Sequence, residues 1–482
     1  MIKEKSVLIE MRSYTCPTGF ILVIPFVEGK SQGLKLRQCW SVMELILEER
    51  DASDWTYRGE GAANLVLAYA GSAPAFIGKV IRIQKVPRNG ANYENRDTVL
   101  SEHECLLWKD YGTIITSPTK EIAELLYVQC VMTPLLGSDY IDAGVQVPVS
   151  KEFLETVERN VLCQRPGWRV NDSKINTCIN SVLLMSDHSV FPDGTLKGEA
   201  CLSIEIKPKC GFLPSSRFIA EENAVKKNVT RFKMHQALKL HQHQISDLSD
   251  YDPLDLFSGS RDRVHTAIKA LFATPQNNLR VFLNGSLVYG GVGGGTNSSS
   301  FVNGEAFEDF IKCFIGADGG SHTRSFVHLV AETVFRLDVL NKLLEVQKLD
   351  HIDIEGAIHA YYNVISQPCV VCRSFGEEKQ LCRYSSLHSI SLNESVKIVK
   401  DYLISATAKD CSLMISFRPR EDGDLESSCR SIYLESTNQR FEFKAFFIDL
   451  DLKPMKKMEY YYELDQQIVK CYTEMLKQNT EL

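Results

Sequence analysis

Two segments of this chain end alike, in acid, cation and proline: Glu205-Ile206-Lys207-Pro208 and Asp451-Leu452-Lys453-Pro454. Strand alternation sends Ile204 and Ile206 to one face and Glu205, Lys207 and Lys209 to the other. Pro208 does not suit the middle of a sheet, so the strand ends or turns there. The same alternation groups Asp449, Asp451 and Lys453. Carboxylates at a strand end are suitable ligands for Mg²⁺, which takes a few protein oxygens plus substrate phosphates. Each segment alone also fits a solvated strand face. Two such ends meeting in one cleft would set metal-binding carboxylates beside phosphate-binding lysines.

Other segments carry related chemistry. Between Lys207 and Lys239 stand eight Lys or Arg against two acids, in a chain of formal net charge −7. Lys227, Arg231, His235 and Lys239 recur every four residues, a stripe on the helix that the pattern predicts over Ala220–His243. The stripe is either a solvated basic face or a polyanion site. In Tyr57-Arg58-Gly59-Glu60-Gly61, glycines at a strand–strand turn let backbone N–H groups approach phosphate oxygens, with Lys79 and Arg82 one strand later. A plain hairpin turn is the alternative, because neither a Walker A nor a dinucleotide fingerprint is present. Asp410 stands between a helical segment and an apolar strand, at a turn or in place to act on an attacking hydroxyl. His359, Cys369, Cys372 and His388 have the types and spacing of a closed Cys₂His₂ zinc site. Cys382 is a rival fourth ligand, and a redox pair or plain core residues are the other readings.

A chain of 482 residues can bury a large core, and 44% hydrophobic with 24% charged residues is ordinary for a globular protein. The acidic balance argues against a nucleic-acid binder but not against a small polyanion. Fifteen dispersed cysteines suit reduced thiols in the cytoplasm or nucleus. The apolar run Phe20–Val27 is too short to span a bilayer and lacks a cleavage signal, so no membrane association is expected. Residues 1–42 read as a poorly ordered extension. A β-meander from Asp54 to Lys85 and further strands to Lys207 make a β-rich first part. Beyond Pro214 the pattern is mostly helical, with strand signals at Cys411–Phe417 and Phe441–Lys453 and a closing helix from Glu459. Gly290–Ser300 reads as a surface loop. The expected class is α+β, a small β-rich lobe followed by a larger helical one.

Taken together, "RGEGAANLVL", "QRPGWR", "EIKPKCGFLP", "NNLRVFLNGS", "AKDCSLMISF" and "IDLDLKP" resemble the plant-type inositol-pentakisphosphate 2-kinases, in order from about Met43 to Tyr461. The resemblance implies transfer of the ATP γ-phosphate to the 2-hydroxyl of inositol 1,3,4,5,6-pentakisphosphate. It implies a two-lobed fold distantly related to protein kinases, with a nucleotide lobe over 43–187 and an inositol phosphate lobe over 188–482. Arg58, Gly59, Gly61, Arg82, His188, Glu205, Arg280 and the Mg²⁺ ligand Asp449 would serve the nucleotide. Asp410 would activate the hydroxyl, and Lys207 would neutralise charge at the transferred phosphoryl. Arg169, Lys209, Arg231, His235, Lys239, Asn277, Asn278, Lys453, Lys457 and Tyr461 would grip the inositol phosphate. His359, Cys369, Cys372 and His388 would hold structural zinc in what is expected to be a monomer. Lys457 stands where the family usually has arginine, losing a bidentate fork, and Asp451 where a serine is common. A non-catalytic inositol phosphate sensor and a zinc-structured interaction protein are the competing readings.

Overall fold

The computed structural model describes residues 10–15, 21–26, 46–61, 63–88, 99–191, 200–291, 304–374, 383–420 and 429–480. In chain order the strands are β1 Glu10–Thr15, β2 Ile21–Phe26, β3 Trp55–Glu60, β4 Asn64–Tyr69, β5 Lys79–Pro87, β6 Val145–Pro148, β7 Ser173–Ile175 and β8 Ser181–Ser186. They continue with β9 Leu202–Ile206, β10 Leu279–Leu283, β11 Ser286–Gly290, β12 Ser412–Arg420, β13 Arg430–Leu434 and β14 Gln439–Ile448. Within the expected N-terminal extension, β1 and β2 form a two-stranded antiparallel pair. The class is α+β as expected, with antiparallel sheets and helices around them.

The first sheet has the order β3-β4-β5-β8-β6, with β7 added to β5. Its apolar face packs Leu65, Leu67, Ile81 and Ile83 against Phe153, Val157 and Val161 of the helix Lys151–Val161. The alternation that predicts the meander is the cause, since Leu65 and Leu67 of β4 and Ile81, Ile83 and Lys85 of β5 are the buried alternate positions. The second sheet runs β11-β10-β9-β12-β14-β13 and lies in a separate, larger core. The helices between Glu102 and Leu136 contribute Leu107, Trp108, Tyr127 and Met132 to that larger core. No helix among the described residues is long and apolar enough to cross a membrane.

β9 is no edge strand. It lies between β10 and β12, all five residues are buried, and Glu205 is 7% exposed. β12 runs antiparallel to both β9 and β14, so the ends of those two strands flank its start. The registers Leu413↔Ile206 and Ser412↔Ile448 put residues 207–209, 410 and 449–453 at one sheet edge. β10 is antiparallel to β9 with Leu279↔Ile206, which brings Asn277 and Asn278 to the same edge.

Several boundaries differ from the sequence reading. The basic stripe does not lie on one helix: a 3₁₀ segment Glu221–Lys227 is followed by the helix Arg231–His241. Thr230 is the reason, because its hydroxyl accepts the Lys233 N–H at 3.3 Å and starts a new helix, leaving Lys227 outside. β14 stops at Ile448, where Asp449 takes a φ of 62° and strand alternation ends. The segment read as one helix over His328–Gln347 is two, His322–Arg336 and Val339–Gln347, parted by extended Leu337. The hairpin β10–β11 was hidden in a stretch read as mostly helical. Its Asn284-Gly285 turn is the strongest short hairpin signal, and both residues have positive φ. Cys382 and the Gly/Ser segment from 292 to 300 lie outside the described residues.

Candidate active site

A cavity of about 670 Å³ separates the two sheets. From the first sheet it is lined by Arg58, Gly59, Gly61 and Arg82, and from the turn after β8 by His188. Glu205, Lys207, Arg280 and Asp449 line it from the second sheet. All residues assigned to the nucleotide from sequence are thus on one cavity. Two assigned to the inositol phosphate, Arg169 and Asn277, line the same cavity. Arg169 lies over the ring of Trp168, 4.1 Å from its centroid.

Each wall is held by named contacts. His188 is stacked on Phe446 with centroids 4.0 Å apart, and burial lowers its pKa, so the ring is neutral. Glu205 accepts from the Ser412 hydroxyl at 2.9 Å and faces Arg280 at 3.4 Å. Arg82 donates to Asp451 at 2.9 Å. The carboxylate of Asp451 is therefore offset by a partly buried arginine. Glu60, between the two glycines, is ion-paired with Lys85 and takes Arg165 at 2.9 and 3.0 Å. Side-chain exposure is 1% or less for all three, so the glycine turn and the "QRPGWR" segment are joined by a buried ion triad.

At the edge of the second sheet the two acid–cation–proline ends meet, as their likeness suggests. Lys207 Nζ lies 3.2 Å from Asp449 Oδ2, and its backbone N–H donates to the Asn278 carbonyl at 2.9 Å. Asp410, the last residue of the helix Leu392–Asp410, takes Lys453 at 3.0 Å and faces Lys209 at 3.7 Å. Lys209 and Asp449 both have left-handed backbones, φ 61° and 62°. For non-glycine residues that costs about 1–3 kcal/mol each, a feature common at functional sites. Left-handed backbone at Lys209 also breaks the alternation that would have set its side chain beside Glu205 and Lys207.

The electrostatics sort the groups. For Asp410, burial opposes ionisation, but Lys453, Lys209 and Lys207 outweigh it and lower the pKa. Burial likewise opposes ionisation of Asp449, and Lys207 and Arg82 outweigh it. Burial lowers the pKa of Lys209 to about 8, with Lys207 and Lys239 adding to the effect against Asp410. His235 is pushed down to about 3, by burial first and then by Lys239, Arg231 and Lys209. Lys457 is lowered by burial and by Lys453, while Tyr461 is raised chiefly by burial. Cations that depress one another's pKa in this way are unsatisfied without an anion. Arg231 is partly engaged already, ion-paired to buried Asp465, which also takes Lys226 at 2.6 Å. Asn278 is 1% exposed and neither of its amide atoms has a hydrogen-bond partner.

The sequence reading missed Asp187, which takes Arg58 at 2.7 Å, and Glu124, whose carboxyl is raised to about 7 by burial and then by Asp451. It also missed Trp168 and the Glu60 triad. Arg165 and Trp168 stand beside Arg169 in the segment "QRPGWR". No spacing rule would find the Asp187 contact, since Arg58 is 129 residues away, whereas Lys120 and Glu124, 3.7 Å apart, are a plain i,i+4 pair.

Away from this edge, His359, Cys369, Cys372 and His388 form a four-donor cluster. His359 Nδ1 lies 3.4 Å from both sulfurs and 3.1 Å from His388 Nε2, and Cys372 Sγ lies 3.1 Å from His388 Nε2. A tetrahedral zinc with these donors needs edges of roughly 3.5 Å, so two thiols and two imidazoles fit the ion. Asn363 Oδ1 accepts from His388 Nδ1–H over 3.3 Å, the kind of outer contact that orients a ligand ring.

A family model described as inositol-pentakisphosphate 2-kinase matches residues 57–467. An inositol-pentakisphosphate 2-kinase of Arabidopsis thaliana is 56% identical over 438 residues, covering 90% of this chain and 96% of that protein. One from Oryza sativa subsp. japonica is 51% identical over 432 residues, with 89% and 96% covered. A Danio rerio relative is 29% identical over 489 residues, with 88% and 94% covered. The chain belongs to the inositol-pentakisphosphate 2-kinase family.

Proposed function

We propose that the chain transfers the γ-phosphoryl group of ATP to the 2-hydroxyl of inositol 1,3,4,5,6-pentakisphosphate, giving the hexakisphosphate. The observation that carries this reading is the convergence at one sheet edge of Asp410, Asp449 and the lysines 207, 209 and 453, beside a cavity of about 670 Å³. The cavity takes the nucleotide, with the glycine turn of Arg58, Gly59 and Gly61 over the phosphates, Arg82 and Lys207 as phosphate-facing cations, and His188, Glu205 and Arg280 toward the base and sugar. Asp449, ionised beside Lys207, would hold Mg²⁺ together with nucleotide phosphates, and that ion would offset charge on the transferred group.

The inositol phosphate side is the cation group around Asp410: Lys209, Arg231, His235, Lys239, Lys453 and Lys457, with Tyr461, Arg169, Asn277 and Asn278. The substrate carries roughly −1.5 to −2 per phosphate, so only clustered cations can replace its water. Asp410 accepts a hydrogen bond from the 2-hydroxyl and holds it in line with the phosphorus, within about 3–3.5 Å. Two sheets with separate cores support a two-lobed, kinase-like organisation divided near residue 187, although the helices from Glu102 to Leu136, which precede that point, pack in the larger core. A cytoplasmic or nuclear monomer with structural zinc completes the reading.

Incubation with ATP, Mg²⁺ and a panel of inositol phosphates, followed by chromatography, tests it. The 1,3,4,5,6-pentakisphosphate is expected to be converted to hexakisphosphate, and failure to consume it would overturn the assignment.

Proton linkage offers a second check. Lys209 is charged below about pH 8 and neutral above, and a bound polyanion favours the charged form. KM for inositol phosphate should therefore rise as pH increases from 7 to 9, and binding at pH 8 should take up protons. Calorimetry in two buffers of different ionisation enthalpy measures the uptake. The Lys209→Ala variant should lose part of that uptake and raise KM for inositol phosphate far more than KM for ATP. Equal effects on both KM values would remove Lys209 from the substrate site.

A further inference from the structure

The Arg58 guanidinium does not point into open cavity. Nη1 donates to the carbonyl of Gly285, and Nη2 donates to Asp187 Oδ2 at 2.7 Å. Gly285 is the tip of the β10–β11 hairpin, with φ of 48° at Asn284 and 78° at Gly285. A Cβ on Gly285 would collide with the guanidinium, so the turn both needs glycine for its backbone and leaves room for Arg58. Asn284 is fixed in turn, since its N–H donates to the Cys201 carbonyl at 2.8 Å and its Oδ1 accepts from Cys201 N at 2.8 Å. Asp187 follows β8, its side chain is 7% exposed, and its Oδ1 accepts the Ser189 N–H at 2.9 Å.

One side chain therefore joins the strand that leads into the glycine turn, the segment after β8 and the hairpin of the opposite sheet. Turning the guanidinium toward a phosphate would leave a buried carboxylate without its counter-charge, which is costly. We propose that Arg58 is a positioning residue, a latch that holds the Gly59–Gly61 turn over the nucleotide through Asp187 and the Gly285 carbonyl, and is not itself a phosphate ligand. This rests on the reading of the cavity as the nucleotide site.

The two roles for Arg58 predict opposite signs for Asp187→Asn. That substitution is isosteric and keeps an oxygen for the Ser189 N–H. If Arg58 is a latch, losing its carboxylate partner loosens the turn. If Arg58 is a phosphate ligand restrained by Asp187, freeing it strengthens nucleotide binding. The measurement is affinity and dissociation rate of a fluorescent ATP analogue in the full-length chain, with KM for inositol phosphate alongside. Asp187→Asn, Arg58→Ala and Gly285→Ala are each expected to weaken the analogue about ten-fold, the scale of one charge-assisted hydrogen bond, mostly by faster dissociation. The Asp187→Asn/Arg58→Ala double variant should bind no more weakly than either single one, and KM for inositol phosphate should stay unchanged. Tighter or unchanged binding in Asp187→Asn, with weaker binding in Arg58→Ala, would overturn the latch. Val66 also lines the cavity, and Val66→Trp should fill it and abolish analogue binding. Retained binding in that variant would instead overturn the cavity reading.

Discussion

Replacing Asp410 with asparagine is expected to lower kcat by about 10²–10⁴, the usual range for a positioned acid–base group, while inositol pentakisphosphate still binds. Asp410 ends a helix, where the partial negative charge of the last carbonyls disfavours a carboxylate. Lys453 at 3.0 Å and Lys209 at 3.7 Å more than compensate, and the carboxyl is held below its ordinary pKa. The group is thus ionised throughout the neutral range and is a weak proton acceptor on its own. On the proposed function its larger contribution would be to accept a hydrogen bond from the attacking hydroxyl and fix its direction, with the proton moving only as the bond to phosphorus forms. Asparagine keeps the shape and loses the charge. It also removes a carboxylate from beside a polyanion, so KM for inositol phosphate should stay level or fall as kcat collapses. Single-turnover kinetics with equilibrium binding separates the two effects. A variant with wild-type turnover would exclude Asp410 from the chemistry.

The legible part of this site is the part written in short contiguous segments. "EIKPK" and "DLDLKP" each announce charge at a strand end, and an antiparallel strand between them is enough to bring both ends to Asp410. The Cys₂His₂ set is legible for the same reason, since side-chain type and spacing carry it. What sequence did not disclose depends on contacts between distant segments. In the sequence Asp451 is an uncompensated carboxylate among phosphate-binding candidates, and its counter-charge, Arg82 at 2.9 Å, comes from the other sheet. Alternation failed at Lys209 and Asp449 because both leave the strand through left-handed backbones, a choice that tertiary contacts impose and side-chain type does not signal. The helical stripe broke at Thr230, where a local capping bond prevailed over four-residue periodicity. The β10–β11 hairpin, by contrast, was readable from its Asn-Gly turn, and the helical character of its neighbourhood masked it.

If the Cys₂His₂ cluster holds zinc as proposed, removing the ion is expected to have the largest effect on stability. His359 is fully buried on the helix Asp353–Val364, Cys369 and Cys372 flank the start of Val370–Ser374, and His388 ends the short helix Ser385–His388. The Asn363 amide donates to the Leu387 carbonyl at 2.7 Å between two of these segments, and an ion bound by all four donors would tie all three together. Zinc–ligand free energies of about 10–16 kcal/mol in small peptides set an upper scale, and part of that is spent here on a scaffold already folded. At about 2–4 °C per kcal/mol for a domain of 150–250 residues, loss of even a few kcal/mol should lower Tm by on the order of 10 °C. Cys372→Ser and chelator treatment should act alike, and elemental analysis should give about one zinc per wild-type chain and none in the variant. The helix bearing His359 packs on Leu392–Asp410, so activity should be lost as that helix loosens, through fewer active molecules at unchanged KM. A wild-type chain that contains no zinc and keeps its Tm in chelator would reduce the cluster to four core residues. Retained Tm with lost turnover would instead make the metal part of the chemistry, which a closed set of four protein ligands argues against.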